Sequence, residues 1–354
     1  MYHVRSPGRV NLIGEHTDYS GGYAMPIATD LATTLDAEPA EDVTVISEAM
    51  DETRSFSIDS PEPADDWGDY VRGCYAVLDD AGYEPGGFEG TIGGDLPLGS
   101  GLSSSASLEL AVLAFLGAAY DLDLSREEIA RLGQRVENEF VGVDCGLMDQ
   151  LAVALSKARG ALFVDIGAES YTRISLPNDL QFVVVHTGVE RSLVDSPYNE
   201  RRETVQSALD ELGVAASPAV DLAMLDRLDD EQARRLGYVV RENARVRQAA
   251  TALDDGDAEW FGQILLDAHE DIAESFEAST PELDAIVESA VENGAYGARL
   301  TGAGWGGAAV VAVDADRASS VAEAIERDYR ESFPEREPRT YLVEPSDGVT
   351  VTDR

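Results

Sequence analysis

Apolar positions along the chain fall into blocks of two kinds. Short runs rich in Val, Ile, Ala and Phe, at 10–13, 43–46, 88–92, 161–165, 182–186 and 308–313, predict strands. Longer runs predict helices over 108–120, 126–139 and 319–330. The second of these opens with Ser125 and carries Glu128 three residues on, the pattern of a capping box. From 199 to 293 the apolar residues keep the spacing of amphipathic helices, with acids on the opposite faces. A strand-like run closes the chain at 340–351. Strands and helices mix without strict alternation, which predicts an α+β fold rather than a doubly wound sheet. No internal repeat or low-complexity linker interrupts the pattern. The natural boundary follows the 161–165 strand, near the polar segment 168–171.

Composition sharpens this. A chain of 354 residues with 44 % hydrophobic content can build a sizeable core, and its length suggests about two domains. No run approaches the ~18 apolar residues of a membrane span, and no leader-like segment precedes the first motif, so a cytoplasmic setting is expected. Cys74 and Cys145 match no metal-binding spacing, and a disulfide between them is not expected. The charge balance is extreme: 26 basic against 68 acidic residues, a net −42, with Lys157 the only lysine. The acids are dispersed rather than gathered in a tail. That pattern fits adaptation to molar salt, where a Debye length of about 3 Å screens self-repulsion. The same field excludes nucleic acid and anionic membranes as partners. A polyanionic substrate has to meet a local cluster of dipoles, arginines and metal.

Residues 97–109, PLGSGLSSSASLE, offer such a cluster. Two glycines and five serines stand at the head of an apolar helical run. Glycine lets backbone approach a ligand closely, and the unpaired N–H groups of a helix start suit a phosphate. No Gly-Lys-Ser/Thr follows, so this is not a Walker A loop. By itself such a segment is more often only a linker or turn. Residues 9–19, RVNLIGEHTDY, put Glu15, His16 and Asp18 within four positions. Carboxylates accept hydroxyl hydrogen bonds, but the cluster also reads as a metal site or a polar turn after a strand.

Four segments in this order resemble one family. Residues 9–19 resemble the galactokinase signature, and 97–109 resemble the second motif of the GHMP superfamily of small-molecule kinases. Residues 137–150, ENEFVGVDCGLMDQ, resemble the region of that family's catalytic aspartate, and 300–307, LTGAGWGG, its third, glycine-rich motif. Weaker echoes lie at 67–72, 191–202 and 345–350. The resemblance runs from residue 5 nearly to the end. It implies a two-lobed fold with the active site in the inter-lobe cleft, and the expected lobes are 1–167, completed by about 338–354, and 168–337.

Carried over position by position, the resemblance implies an ATP-dependent sugar 1-kinase with galactose as substrate. Asp149 would take the proton of the sugar's C1 hydroxyl, and Arg9 would stand beside it and the γ-phosphate. Whether that aspartate is a true base, or the arginine makes the hydroxyl acidic, stays open. Ser105 and Glu137 match the family's Mg²⁺ ligands, hard oxygens for a hard ion. Gly99, Ser100, Gly101, Leu102, Ser103, Ser104 and Ser105 would cradle the phosphates, and Trp67 would pack on the adenine. Glu15, His16, Asp18, Gly146 and Tyr198 would hold the hexose. Other readings remain beside these: Trp67 and Tyr198 as packing residues, Glu139 as rival to Glu137, and 302–307 as backbone packing rather than nucleotide contact. Asp144 stands where some relatives carry proline, and Trp305 where phenylalanine is frequent. Kinases for other galactose-configured sugars, and non-catalytic sugar sensors, are the alternatives to galactose phosphorylation. The oligomeric state is not readable, a monomer being admissible.

Overall fold

The computed structural model describes residues 1–59, 61–143, 145–189 and 197–354. The chain forms two compact units. The first comprises 1–9, 28–158 and 346–354, and the second 10–27 and 159–345.

The first unit carries a six-stranded sheet in the order Thr350–Asp353, Tyr2–Asn11, Pro26–Ala40, Gly87–Gly94, Val43–Ser47, Glu52–Phe56. Val43–Ser47 runs parallel to Gly87–Gly94, and the C-terminal strand pairs antiparallel with the N-terminal one, Tyr2 opposite Asp353 and Arg5 opposite Thr350. Its helices are Asp69–Asp80, Ser104–Ala119, Arg126–Arg135 and Met148–Leu155. Ser104–Ala119 is apolar nearly all round, so it is buried, with Leu110, Val112, Leu113, Phe115 and Leu116 wholly inside.

Two local expectations change here. The 126–139 helix is α-helical only to Arg135 and then widens into a π turn, Val136–Val141. The expected capping box is half made. Ser125 accepts from Glu128 N, but the Glu128 carboxylate accepts instead from the Tyr83 hydroxyl, 3.0 Å away.

The second unit carries a four-stranded antiparallel sheet, Gly297–Thr301, Ala308–Asp314, Leu180–His186 and Arg339–Val343 in spatial order. It also carries a three-stranded sheet of Tyr23–Ala24, Gly160–Asp165 and Ser170–Ser175. The expected helical stretch resolves into Tyr198–Leu212, Asp230–Asp254, Ala258–Asp271 and Pro281–Glu292, followed later by Ala318–Ser332. Their starts obey local chemistry. Asp229 and Gln232 form a full capping box, and Thr280 caps a helix whose first residue is Pro281. Val183, Val185, Phe276, Leu300 and Val311 are among the residues of its core.

Compactness divides the chain elsewhere than at 167/168 and 337/338. Strand pairing is the reason. Gly160–Asp165 finds its partners in Tyr23–Ala24 and Ser170–Ser175, all in the second unit. The 340–351 run splits in two: Arg339–Val343 pairs with Leu180–His186, and only Thr350–Asp353 returns to the first unit's sheet. Among the described residues no helix is long and apolar enough to cross a membrane.

Candidate active site

The phosphate-loop candidates lie in the first unit. Gly99 and Gly101 have φ of 67° and 78°, the left-handed region, and nothing lies within 4 Å of where a Cβ would stand. The backbone shape favours glycine there, and the loop's outer face is open. Ser100 turns inward and donates to Pro97 O (2.8 Å), so its hydroxyl serves the loop itself. Leu102 is buried, and its carbonyl accepts from Arg9 N at 3.0 Å. Ser103 precedes the 104–119 helix at φ 57° without capping it. Its hydroxyl donates to Asp149 Oδ2 instead. Ser104 and Ser105 are the first two residues of that helix.

Asp149 sits in the first turn of Met148–Leu155 and is tied to Arg9 by two hydrogen bonds. Arg9 Nε donates to Oδ1 and Nη2 to Oδ2, both at 2.7 Å. Arg9 Nη1 donates to Gly101 O, also at 2.7 Å. One guanidinium thus joins the aspartate to the glycine loop, using the planar fork that makes arginine suited to this task.

The structure separates the two rival glutamates. Glu137 is buried near Ser105; burial pushes its carboxyl up, Ser105 partly offsets this, and nearby Asp149 adds to it. Glu139 points away and pairs with Arg135 at 2.8 and 2.9 Å, which holds its carboxyl low. Gly146 lies just before the Met148–Leu155 helix, half-buried. Asp144 and the 191–196 part of the weaker 191–202 echo lie outside the described residues.

A cavity of about 360 Å³ opens in the same unit beside the start of the 104–119 helix. Trp67, Tyr70, Met50, Leu96 and Leu98 line it together with Ser104 and Ser105. Its size and mixed lining suit a small organic ligand. Trp67 is half-buried: its Nε1 donates to Glu52 Oε2 at 3.0 Å, and the Arg54 guanidinium lies 5.5 Å from the ring centre.

The sugar-site candidates Glu15, His16, Asp18 and Tyr198 lie in the second unit. Glu15 is buried. Its Oε1 accepts from Asn11 Nδ2 (2.9 Å) and Gly302 N (3.3 Å), and its Oε2 lies 2.6 Å from Arg299 Nη2. That last approach is bent away from hydrogen-bond alignment, so charge rather than a directed N–H holds it. Burial raises the Glu15 carboxyl to about 7, with Arg299 opposing and Glu242 adding to the rise.

His16 has φ 63° and packs within an aromatic cluster of Phe276, Tyr198, Trp305 and Tyr19, at ring separations of 4.5 to 5.9 Å. Its Nε2 lies 3.0 Å from Ala303 O, an atom that can only accept. The proton therefore sits on Nε2, and in the neutral ring Nδ1 accepts from the Tyr19 hydroxyl at 3.2 Å. Asp18 opens the short turn Asp18–Ser20, half-buried, and Tyr198 is the first residue of its helix.

Three segments match known families: the GHMP kinases N terminal domain at 69–157, the GHMP kinases C terminal domain at 249–331, and the galactokinase galactose-binding signature at 2–39. The chain is 49 % identical to a galactokinase of Thermococcus kodakarensis over 348 residues, covering 98 % of this chain and 99 % of that one. It is 46 % identical to a galactokinase of Pyrococcus furiosus over the same span and shares. Among solved structures, Lactococcus lactis galactokinase complexed with galactose superposes with a TM-score of 0.93 at 34 % identity, over 98 % of this chain and 94 % of that one.

The chain belongs to the galactokinase family. It is a GHMP-fold sugar kinase of mixed α and β structure.

In this member of the galactokinase family, some contacts around the candidate residues were not read from the sequence. The third glycine motif meets the signature turn within the second unit. Thr301 Oγ1 donates to Asn11 O (2.8 Å), Gly302 N faces Glu15, Ala303 O accepts from His16, and the Trp305 ring packs on His16. Arg299, just ahead of that motif, is wholly buried. Glu109 was passed over too. It is a buried carboxyl whose oxygens have no hydrogen-bond partner among the described residues, pushed well up by burial and by the nearness of Glu137 and Asp149. A lone acid inside an otherwise apolar helix was the available signal.

Proposed function

We propose that the protein transfers the γ-phosphoryl group of ATP to the C1 hydroxyl of galactose, giving α-D-galactose 1-phosphate and ADP. The observation that carries this reading is the Arg9 guanidinium, which binds both oxygens of Asp149 and the carbonyl of Gly101 at once.

Among the described residues, Asp149 Oδ2 accepts from Arg9 and from Ser103, whereas Oδ1 accepts from Arg9 alone. A carboxylate oxygen has two lone pairs. Oδ1 is therefore the atom to receive the C1 hydroxyl proton. As the C1 oxygen bonds to the γ-phosphorus, the bond from that phosphorus to the β,γ-bridging oxygen breaks and ADP leaves. Phosphoryl transfer of this kind gains most from positioning and charge stabilisation. Arg9 supplies both, since it orients Asp149 and places positive charge at the glycine loop. The loop 99–105 would take the phosphates, the cavity beside Trp67 the adenine, and Glu15, His16, Asp18, Gly146 and Tyr198 the hexose.

The residues present fit Mg²⁺. Glu137 and Ser105 are neighbouring hard oxygens, and among the described residues the carboxyls of Glu109 and Asp149 add negative charge at Glu137 while Arg9 opposes it. Glu137 and Ser105 would hold the ion, with nucleotide phosphates and water completing its shell. When bound, Mg²⁺ neutralises charge on the β- and γ-phosphates.

The test is ADP release with Mg-ATP in about 1 M KCl, with galactose, N-acetylgalactosamine, galacturonate, L-arabinose, glucose and a blank side by side. Highest turnover with galactose is the expected result. Turnover with another sugar alone would keep the kinase and reassign the pocket. No turnover from folded protein would point to a sugar sensor.

A further inference from the structure

The turn that carries Glu15, His16 and Asp18 does not hold its shape by itself. Gly14 has φ 102° and His16 φ 63°, and a non-glycine residue in that region is strained unless its surroundings fix it. The fixing groups come from two places in the second unit, the helix Asp230–Asp254 and the strand Gly297–Thr301.

From the helix, Glu242 Oε1 accepts from Gly14 N (3.0 Å), the Tyr238 hydroxyl donates to Glu15 O (3.1 Å), and Asn243 Oδ1 accepts from Tyr23 N (2.8 Å). From the strand, Arg299 lies between two buried carboxylates. Its Nη1 donates to Glu242 Oε1 at 2.6 Å, and its Nη2 lies 2.6 Å from Glu15 Oε2. Arg245 gives Glu242 a second cation at 2.8 Å and reaches Asp271 at 2.7 Å, and Asp271 also pairs with Arg241 at 2.7 Å. Three carboxylates thus face three guanidiniums.

Stability alone does not explain such a network. Desolvation offsets much of a buried ion pair's attraction, and apolar side chains of equal volume often stabilise as well or better. Apolar side chains, however, could not accept from Gly14 N or orient the Glu15 carboxylate. What the network uniquely does is fix backbone and side chain of the signature turn.

We propose that Arg299 and Glu242 are positioning residues for sugar recognition, holding the 14–18 turn in its binding shape. Neither is taken to touch the sugar or the nucleotide. The inference rests on the sugar-binding role proposed above for Glu15, His16 and Asp18. It assigns the residue ahead of the third glycine motif to the acceptor sugar rather than to ATP.

The test compares full-length wild type with Arg299→Met, Arg299→Lys and Glu242→Gln in high salt. KM for galactose and KM for ATP are measured separately, together with the galactose-induced rise in unfolding midpoint. Arg299→Met and Glu242→Gln should raise KM for galactose on the order of tenfold while KM for ATP stays within about twofold. Arg299→Lys, a cation without the fork, should recover part of the loss. Equal rises in both KM values, or an unchanged galactose KM in folded variants, would overturn the proposal. If Arg299→Met does not fold, the nearly isosteric Glu242→Gln decides. If wild type prefers another sugar, the substrate assignment fails, but the split measured with that sugar still decides this inference.

Discussion

Arg9 and Asp149, 140 positions apart in sequence, meet in a two-pronged contact with both bonds at 2.7 Å. The pairing fixes the carboxylate plane, and in the proposed reaction the remaining lone pair of Oδ1 takes the substrate's proton. Asp149→Asn keeps the shape but cannot take a proton. It should retain galactose binding and lose about 10²- to 10⁴-fold in kcat. Rapid-quench turnover and calorimetric sugar binding check this; a near-wild-type rate removes Asp149 as the base.

Glu137 and Glu139 are two residues apart, yet one is buried against Ser105 and the other is exposed on Arg135. Glu137→Gln should raise the Mg²⁺ concentration needed for half-maximal rate on the order of tenfold. Glu139→Gln should titrate like wild type. The opposite ranking would reassign the metal ligand.

Arg299 is shared by Glu15 and Glu242, but Glu242 has Arg245 as well. Burial acts on both carboxyls; the two arginines more than offset it at Glu242, which is lowered, whereas Glu15 is raised from 4.5 to about 7. A carboxyl raised on folding binds its proton more tightly in the folded chain. Its contribution to stability is complete below pH 4.5 and is lost as the pH rises through about 7. Glu15→Gln has no such proton. The stability gap between wild type and variant should therefore shift against wild type from pH 5 to pH 8, by on the order of 3 kcal/mol. Urea unfolding at a series of pH values measures it, and a gap independent of pH would refute the assignment.

A net charge of −42 on 354 residues is self-repulsive wherever it is unscreened. If the surface is adapted to molar salt, the thermal midpoint should drop by on the order of 10 °C between about 2 M and 0.1 M KCl. A midpoint flat across that range would leave the charge without a salt-dependent role.

The sequence by itself determined the family and the α+β class, and it named the residues proposed above for the chemistry. Those signals are local: four motifs read contiguously in chain order, and glycines or a Thr-Pro cap act on backbone a few residues away. Helix starts at Ser125, Asp229 and Thr280 follow from such chemistry. The tertiary structure alone decided what depends on distant partners. The π turn that buries Glu137 and the diversion of Glu128 to Tyr83 are settled by packing outside their own segments. So is the division of the 340–351 run, because a strand belongs to whichever sheet supplies its hydrogen bonds. The third glycine motif gave no hint in sequence that it grips the sugar signature. That contact joins Arg299 and Gly302 to Glu15 across more than 280 positions, and long-range charge pairing of this kind leaves no periodicity to read.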